Sequence, residues 1–196
     1  MRKGIGLACI VLGLFCLMTA IYFMVHNHSE ANRAKTYAQI LLDNVQQNIY
    51  DAEDAEQAQK PDPWEMLTVP VGDYASIGIL SIPVLELELP VLADWSYEKL
   101  KKAPCHYYGS CYEPNFVIAA HNYASHFGRL TSLQTGDVVL FTDVTGQTFV
   151  YEVVLLETLP PHATEQMITS GFDLSLYTCT PGGRNRVTVR CRTENP

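Results

Sequence analysis

The chain has 196 residues, of which 17% are charged, and its 21 acidic and 13 basic side chains give a formal net charge of −8. This length accommodates one compact domain and an appendage. The acidic balance, together with the lack of a basic patch with interleaved aromatic residues, argues against nucleic acid as a partner.

The N-terminus carries an apolar segment long enough to cross a membrane. Residues 4–25 form a run of 22 residues without a charge, which at about 1.5 Å per residue spans a hydrocarbon core of roughly 30 Å. A cleaved signal peptide has a shorter apolar region of about 7–15 residues, so an uncleaved signal anchor is predicted. The positive-inside rule then puts residues 1–3, with Arg2 and Lys3, in the cytoplasm and the rest of the chain outside the cell.

Residues 26–70 are predicted to form a helical stalk and a linker. The segment 30–60 is rich in Ala, Gln, Asn, Asp and Glu, and its apolar residues recur at roughly helical spacing. These residues are Tyr37, Ile40, Leu41, Val45 and Ile49. The two prolines of Lys60-Pro-Asp-Pro-Trp disfavour helix, so the stalk is expected to end there.

Residues 71–196 have the pattern of a mostly β domain. Short runs of strand-forming residues alternate with turn residues, which is typical of a barrel or a sandwich, and the length suffices for one hydrophobic core. The predicted strands are 76–82, 87–92, 115–121, 137–142, 147–158, 172–179 and 186–191. Segments 96–102 and 127–133 are predicted as short helices, and Asp143-Val-Thr-Gly as the turn of a hairpin.

Three side chains at predicted strand ends form a candidate active site. Cys179 ends one strand-like run, Arg186 begins the next, and His121 ends an earlier run. A thiol, an imidazole and a guanidinium are the groups needed to attack an amide, protonate its leaving group and stabilise the oxyanion. His126 is the alternative histidine and Arg184 the alternative arginine.

Strand alternation orients the residues of the last run. It puts Val187 and Val189 on one face, toward the core, and Arg186 on the other, toward a groove. The remaining two charges of the run, Arg190 and Arg192, are expected to be exposed.

Six cysteines are present, and two of them, Cys9 and Cys16, lie in the predicted anchor. In an exported domain a bridge between Cys105 and Cys111 is possible, although buried or free thiols are favoured. No cysteine or histidine spacing indicates zinc. No metal or organic cofactor is expected, because thioester exchange needs neither.

Several motifs, taken in order along the chain, resemble those of the sortase family. They are Ile77-Gly-Ile-Leu-Ser-Ile-Pro, Leu89-Pro-Val, Ala119-Ala-His, Gly136-Asp, Leu176-Tyr-Thr-Cys and Arg186-Val-Thr-Val, and together they cover about residues 75–192. The resemblance implies a closed, largely eight-stranded β-barrel, to which residues 105–109 contribute a short extra strand. It also implies a membrane-anchored cysteine transpeptidase of Gram-positive bacteria.

A sortase cleaves a C-terminal sorting signal, such as one of LPxTG type, on a secreted protein. It joins the new carboxyl end to an amine, which belongs to a peptidoglycan precursor or to a pilin lysine. The resemblance implies that Cys179 is the nucleophile and His121 the general acid and base. It implies that Arg186 binds the substrate backbone or the oxyanion.

Three further segments are expected to border the groove. The loop 180–185 contains Gly182-Gly183, which allows a tight reversal between Cys179 and Arg186. The stretch 160–170 is the main candidate for a specificity wall. Asp62-Pro-Trp64 resembles the lid of pilin-type sortases, and the alternative is a turn that ends the stalk.

Other functions remain open from the sequence. An L,D-transpeptidase-like crosslinker is one, although it would carry a Ser-x-Gly-Cys signature where this chain has Leu-Tyr-Thr before Cys179. A purely hydrolytic cysteine peptidase is another, because water can resolve the same thioester. A non-catalytic ectodomain that binds wall proteins is the third.

Overall fold

A computed structural model describes residues 2–54 and 65–193, with side chains described for residues 10–49 and 65–193. A single helix, α1, runs from Arg2 to Asp54, and the chain divides into two compact units, residues 1–33 and 34–196. In the first unit the apolar side chains between Ile10 and Val25 are exposed. In the described part of the chain, α1 is the one helix long and apolar enough to cross a membrane, with a mean hydropathy of 1.9 over its most apolar window of 18 residues. It is a candidate membrane anchor.

The described residues of the second unit form nine strands, of which all but the first correspond to strands predicted from the sequence. They are β1 (Val69–Val71), β2 (Tyr74–Ile82), β3 (Leu87–Leu92), β4 (Cys105–Tyr108), β5 (Phe116–Ala119), β6 (Val138–Asp143), β7 (Thr148–Leu159), β8 (Leu174–Cys179) and β9 (Arg186–Thr193). Short helices α2 (Tyr97–Leu100) and α3 (Thr164–Ile168) and two 3₁₀ turns, Pro83–Leu85 and Phe127–Ser132, connect them.

The sheet closes on itself into an eight-stranded barrel, which confirms the predicted fold. The order is β1-β2-β3-β4-β5-β8-β9-β7-β6, and β6 pairs in turn with β2. The ninth strand, β1, pairs only with the start of β2 and lies outside the ring. Two neighbouring pairs are parallel, β3 with β4 and β5 with β8. The expected short strand beginning at Cys105 is present as β4.

The barrel closes where β2 is irregular. The register between β2 and β3 shifts between Ser76 and Gly78, and Gly78 pairs with Asp143 of β6. Its φ is +148°, and a Cβ at this position would meet the Thr142 carbonyl oxygen at 2.1 Å. Glycine is therefore required where β2 pairs with both β3 and β6.

The core fills the barrel, and α1 covers part of its outside. Phe116 and Phe141 pack edge to face inside it, with ring centroids 5.0 Å apart. In the same unit, Leu41 and Val45 of α1 are buried in a second apolar cluster together with Ile79. Each such buried side chain contributes about 1.5–3 kcal/mol to folding, so the part of α1 around Leu41 and Val45 belongs to the barrel's structure.

No disulfide joins the four cysteines that follow the anchor. Cys105, Cys111 and Cys191 are buried, whereas Cys179 is half-buried. The possible bridge between Cys105 and Cys111 is therefore not formed. Burial raises the pKa of both Cys105 and Cys191 to about 12, which keeps these two thiols protonated and unreactive at neutral pH.

Candidate active site

The parallel pairing of β5 with β8 brings two of the candidate residues to one end of the barrel. Ala119 is the register partner of Tyr177, and the Ala120 amide donates to the Tyr177 carbonyl at 3.1 Å. His121 follows the end of β5 by two residues, and Cys179 is the last residue of β8. The Thr178 hydroxyl donates to the Ala120 carbonyl at 2.9 Å and fixes the two chain ends to each other.

The antiparallel pairing of β8 with β9 brings the third candidate residue to the same place. Cys179 and Arg186 are register partners, the last pair of the ladder. The Thr180 amide donates to the Asn185 carbonyl at 3.0 Å and closes the loop between them. Gly182 and Gly183 have φ values of 81° and 72°, the left-handed conformation that the predicted tight reversal needs.

The Arg186 guanidinium is held by its own loop. Its Nη1 donates to the carbonyl oxygens of Gly183 and Asn185, both at 3.1 Å. Arg186 is half-buried, whereas the alternative arginine, Arg184, is exposed. The charge of Arg186 is thus fixed beside Cys179 at the strand end.

The His121 ring is held against Tyr123. The two rings stack with centroids 4.0 Å apart at an angle of 11°. Burial lowers the pKa of His121 below its usual 6.5, the charge of Lys101 lowers it further, and a hydrogen bond with Asn122 partly opposes them. The imidazole is therefore mostly neutral near pH 7 and free to accept a proton.

The alternative histidine, His126, lies inside the protein. It is fully buried, and its ring centroid is 5.6 Å from that of Tyr123. Burial, and secondarily the charge of His121, lower the pKa of His126 to about 4. A buried, neutral ring of this kind has no access to a substrate.

A groove runs past the thiol between two walls of different character. Cys179 and Arg186 line it, but His121 is not among its lining residues. One wall is aromatic, with Trp95, Tyr107 and Tyr177 in contact as a series: Trp95 and Tyr107 centroids are 5.6 Å apart, and Tyr107 and Tyr177 centroids 5.3 Å. Sequence reasoning missed this wall, because its members come from separate segments.

The other wall is the connection from β7 to β8, the stretch expected to border the groove. Its lining residues are Pro160, Pro161, Ala163, Thr164 and Met167. The sequence did not predict α3 within this stretch, because five residues are too few for a periodic pattern.

One prediction on β9 was wrong. Arg190 is 2% exposed rather than an exposed strand charge, because α3 and its flanking residues cover this part of the outer face of β9. Its Nη2 donates to the Gln166 carbonyl oxygen at 2.8 Å. The side chain of Arg192 is 52% exposed, as expected.

The suggested lid, Asp62-Pro63-Trp64, lies outside the described residues. It therefore remains an expectation from the sequence.

Comparisons with known proteins give one family. The Sortase domain model matches residues 80–194. Sortase C1 of Streptococcus suis is 30% identical, covers 62% of this chain and 74% of its own, and superposes with a TM-score of 0.54. No curated protein matches the chain at a significant level.

Two Clostridium perfringens structures share the fold at lower identity. A sortase D5 transpeptidase is 18% identical and covers 82% of this chain and 99% of its own, with a TM-score of 0.61. A sortase C, solved with the C-terminal cell wall sorting motif, is 23% identical and covers 81% and 90%, with a TM-score of 0.55.

Proposed function

The chain belongs to the sortase family, and we propose that it cleaves an LPxTG-like C-terminal sorting signal through a Cys179 thioacyl intermediate and transfers the protein to an amine. The observation that supports the proposal is the pairing of Cys179 with Arg186 at the ends of β8 and β9, next to the end of β5, two residues after which His121 follows. The related sortase C with its cell wall sorting motif supports this substrate class.

The first half of the reaction forms the thioacyl enzyme. Neutral His121 takes the proton of the Cys179 thiol, the resulting thiolate attacks the carbonyl carbon of the scissile amide, and the carbonyl electron pair moves onto oxygen. Arg186, always charged and a half-buried neighbour of Cys179, donates to this oxyanion. The intermediate collapses, the C–N bond breaks, and His121 as imidazolium gives its proton to the leaving amine.

The second half transfers the acyl group. The acceptor amine attacks the thioacyl carbon and gives its proton to His121, and the Cys179 thiolate leaves. The lowered pKa of His121 makes its conjugate acid a ready proton donor in the first half. Water in place of the amine gives hydrolysis, so the outcome depends on the acceptor that reaches the groove.

The groove is the proposed binding site of the signal. Its Pro160, Pro161 and Met167 side is apolar and suits the aliphatic and proline residues at the start of an LPxTG-like motif. Arg186 at the groove's reactive end is available for the substrate backbone.

The proposal includes the protein's location. Residues 4–25 anchor it in the cell membrane, with residues 1–3 in the cytoplasm. Residues 26–70 connect the anchor to the catalytic barrel of residues 71–196, which faces the outside. The exposed apolar face of α1 between Ile10 and Val25 supports the anchor, and the partners are secreted proteins that bear the signal and an amine acceptor of the cell wall or a pilin.

Intact mass spectrometry tests this function. Protein lacking residues 1–25 is mixed with LPxTG-like and NPxTN-like peptides, and Cys179→Ala serves as the control. We expect an added acyl mass on Cys179 and none on the variant, and added amine should release the acyl group as a new amide. A folded protein whose Cys179 forms no adduct with any peptide would contradict the proposal.

A further inference from the structure

The outer face of β9 carries a buried cation that the proposed chemistry does not use. Arg190 lies on the same face of the strand as Arg186, four residues away, yet it is 2% exposed. Removing an arginine from water is costly unless its donors are satisfied. The hydrogen-bond partners of its guanidinium therefore indicate which segments Arg190 connects.

The donors of Arg190 join three elements around the groove. Nε donates to Glu157 Oε1 of β7 at 2.7 Å, and Nη1 donates to Ser175 Oγ of β8 at 2.7 Å. Nη2 donates to the Gln166 carbonyl oxygen in α3 at 2.8 Å, and Nη1 reaches the Met167 carbonyl oxygen at 3.5 Å. The planar fork thus fastens α3 to the two strands that flank β9.

This helix is part of the groove wall. Ala163, Thr164 and Met167 line the groove together with Cys179 and Arg186. Arg190 contacts the backbone of α3 at Gln166 and Met167 and the Met167 sulfur at 3.8 Å, so these contacts fix the position of the helix and involve neither Ala163 nor Thr164.

The far end of the same connection is also fastened to the barrel. Asn115 Oδ1 accepts hydrogen bonds from the Gly171 amide at 2.8 Å and the Ser170 hydroxyl at 3.3 Å. Arg190 therefore holds the connection at α3, and Asn115 holds it shortly before β8. The wall is therefore formed before any ligand arrives.

We propose that Arg190 is a positioning residue that presents α3 to the sorting signal and thereby sets the enzyme's affinity for it. This role rests on the proposed function. A preformed wall saves the entropy of ordering a loop on binding, so a loosened wall should weaken binding of the signal more than it slows the chemical step. Arg190 acts through α3 and touches neither the substrate nor Cys179.

The test compares Arg190→Met and Arg190→Lys in the full-length, detergent-solubilised protein. With an LPxTG-like peptide we expect Arg190→Met to raise KM about tenfold or more, with a smaller change in kcat. Arg190→Lys keeps the charge but loses the fork, so it should recover part of the loss. The rate at which iodoacetamide alkylates Cys179 should not change, because the thiol and its neighbours are untouched.

Deuterium uptake provides a readout that does not depend on turnover. The Met167 and Thr169 amides donate within α3, to the Ala163 and Glu165 carbonyl oxygens. Arg190→Met should accelerate exchange over residues 163–171 while the other barrel strands keep their protection. Unchanged exchange over residues 163–171 would overturn the positioning role. This result would hold even if the wild-type protein acted on none of the peptides, so failure of the proposed function and failure of the positioning role can be told apart.

A matched control separates positioning from general loss of stability. Asp143 is 3% exposed; it accepts a hydrogen bond from the hydroxyl of Tyr112, which precedes β5, and others from the Thr145 and Gln147 amides in the β6–β7 turn. Asp143→Asn therefore weakens another buried polar cluster and should leave KM for the peptide unchanged. An equal rise of KM in Asp143→Asn and Arg190→Met would overturn the proposal.

Milder variants cover the case in which Arg190→Met does not fold. Glu157→Gln and Ser175→Ala each weaken one contact of the guanidinium. Each should raise KM less than Arg190→Met would, and in the same direction. Wild-type KM in both folded variants would contradict a positioning role.

Discussion

Cys179 and Arg186 are register partners, the last residue of β8 opposite the first residue of β9. The backbone ladder thus sets the two residues opposite each other, and the loop between them only has to turn back. Either side chain can therefore be replaced with little effect on the fold, which makes both suitable for tests of chemistry.

Thiol reactivity should separate Cys179 from its buried counterparts. We expect iodoacetamide to modify Cys179 while Cys105 and Cys191, whose pKa burial raises to about 12, stay unmodified in the folded protein. Peptide mapping by mass spectrometry measures this. Modification of Cys191 as fast as Cys179 in native protein would contradict the assignment.

Arg186→Ala should lower kcat/KM for a sorting-signal peptide about 10²–10³-fold, the usual cost of one oxyanion donor. Arg184→Ala is the matched control, because Arg184 is an exposed arginine of the same loop, and its activity should stay near that of the wild type. Steady-state kinetics measure both. A larger loss of kcat/KM in Arg184→Ala than in Arg186→Ala would assign the role of oxyanion donor to Arg184.

The imidazole of His121 should titrate below pH 6.5. Burial is the main cause, and the positive charge of Lys101 disfavours the protonated ring as well. Lys101→Gln should therefore raise the pKa of His121 toward its usual value. NMR titration of the ring protons in the Cys179→Ala protein measures both values, and a fall of the pKa in Lys101→Gln would be incompatible with the described contact.

The stability of the barrel should fall in acid because of His126. Its pKa is about 4 when folded against about 6.5 when unfolded, so the unfolded state binds more protons between these values. The contribution of the neutral ring is complete above pH 6.5 and is lost as the pH falls from about 6.5 to about 4, on the order of 3 kcal/mol in total.

Urea unfolding at pH 7.5 and pH 4.5 tests this effect. The difference in free energy of unfolding between the two pH values should be smaller in His126→Phe than in the wild type, because phenylalanine fills the same space without a titrating group. His162→Gln serves as the control, because His162 is exposed and should leave the difference as it is. A wild-type pH dependence in His126→Phe would assign the effect to other groups.

The packed part of α1 should contribute to barrel stability. Leu41 is 6% exposed in the cluster with Ile79, whereas its neighbour Ile40 is 54% exposed. We expect Leu41→Ala to lower the free energy of unfolding by about 2–5 kcal/mol and Ile40→Ala by about 0.5 kcal/mol or less. Chemical denaturation measures the free energy of unfolding of both variants. Equal losses would show that the packing of Leu41 does not stabilise the barrel.

Local patterns were sufficient to predict most of the barrel. The predicted run 87–92 matches β3, and the runs 147–158 and 186–191 match β7 and β9 to within two residues, because alternating apolar residues mark a strand with one face in a core. The three candidate site residues were found for a related reason: each stands at the boundary of a strand-like run.

The features that the sequence did not predict depend on contacts between distant segments. The short strand β1 is defined by its pairing with β2 rather than by any pattern of its own. The burial of Arg190 depends on α3, which covers one side of β9. An alternation rule assigns a residue to a face, but it does not say what lies over that face.

The parallel pairing of β5 with β8 has a consequence for the protein's export. Cys179 and Arg186 are joined by a short hairpin, which can form locally, whereas β5, which precedes His121, pairs with β8 only after residues 122–173 have been wound into the barrel. Such distant pairings form late in folding. In a chain exported as proposed, the proposed nucleophile is therefore present before the proposed acid and base is in place, and completion of the barrel assembles the proposed site.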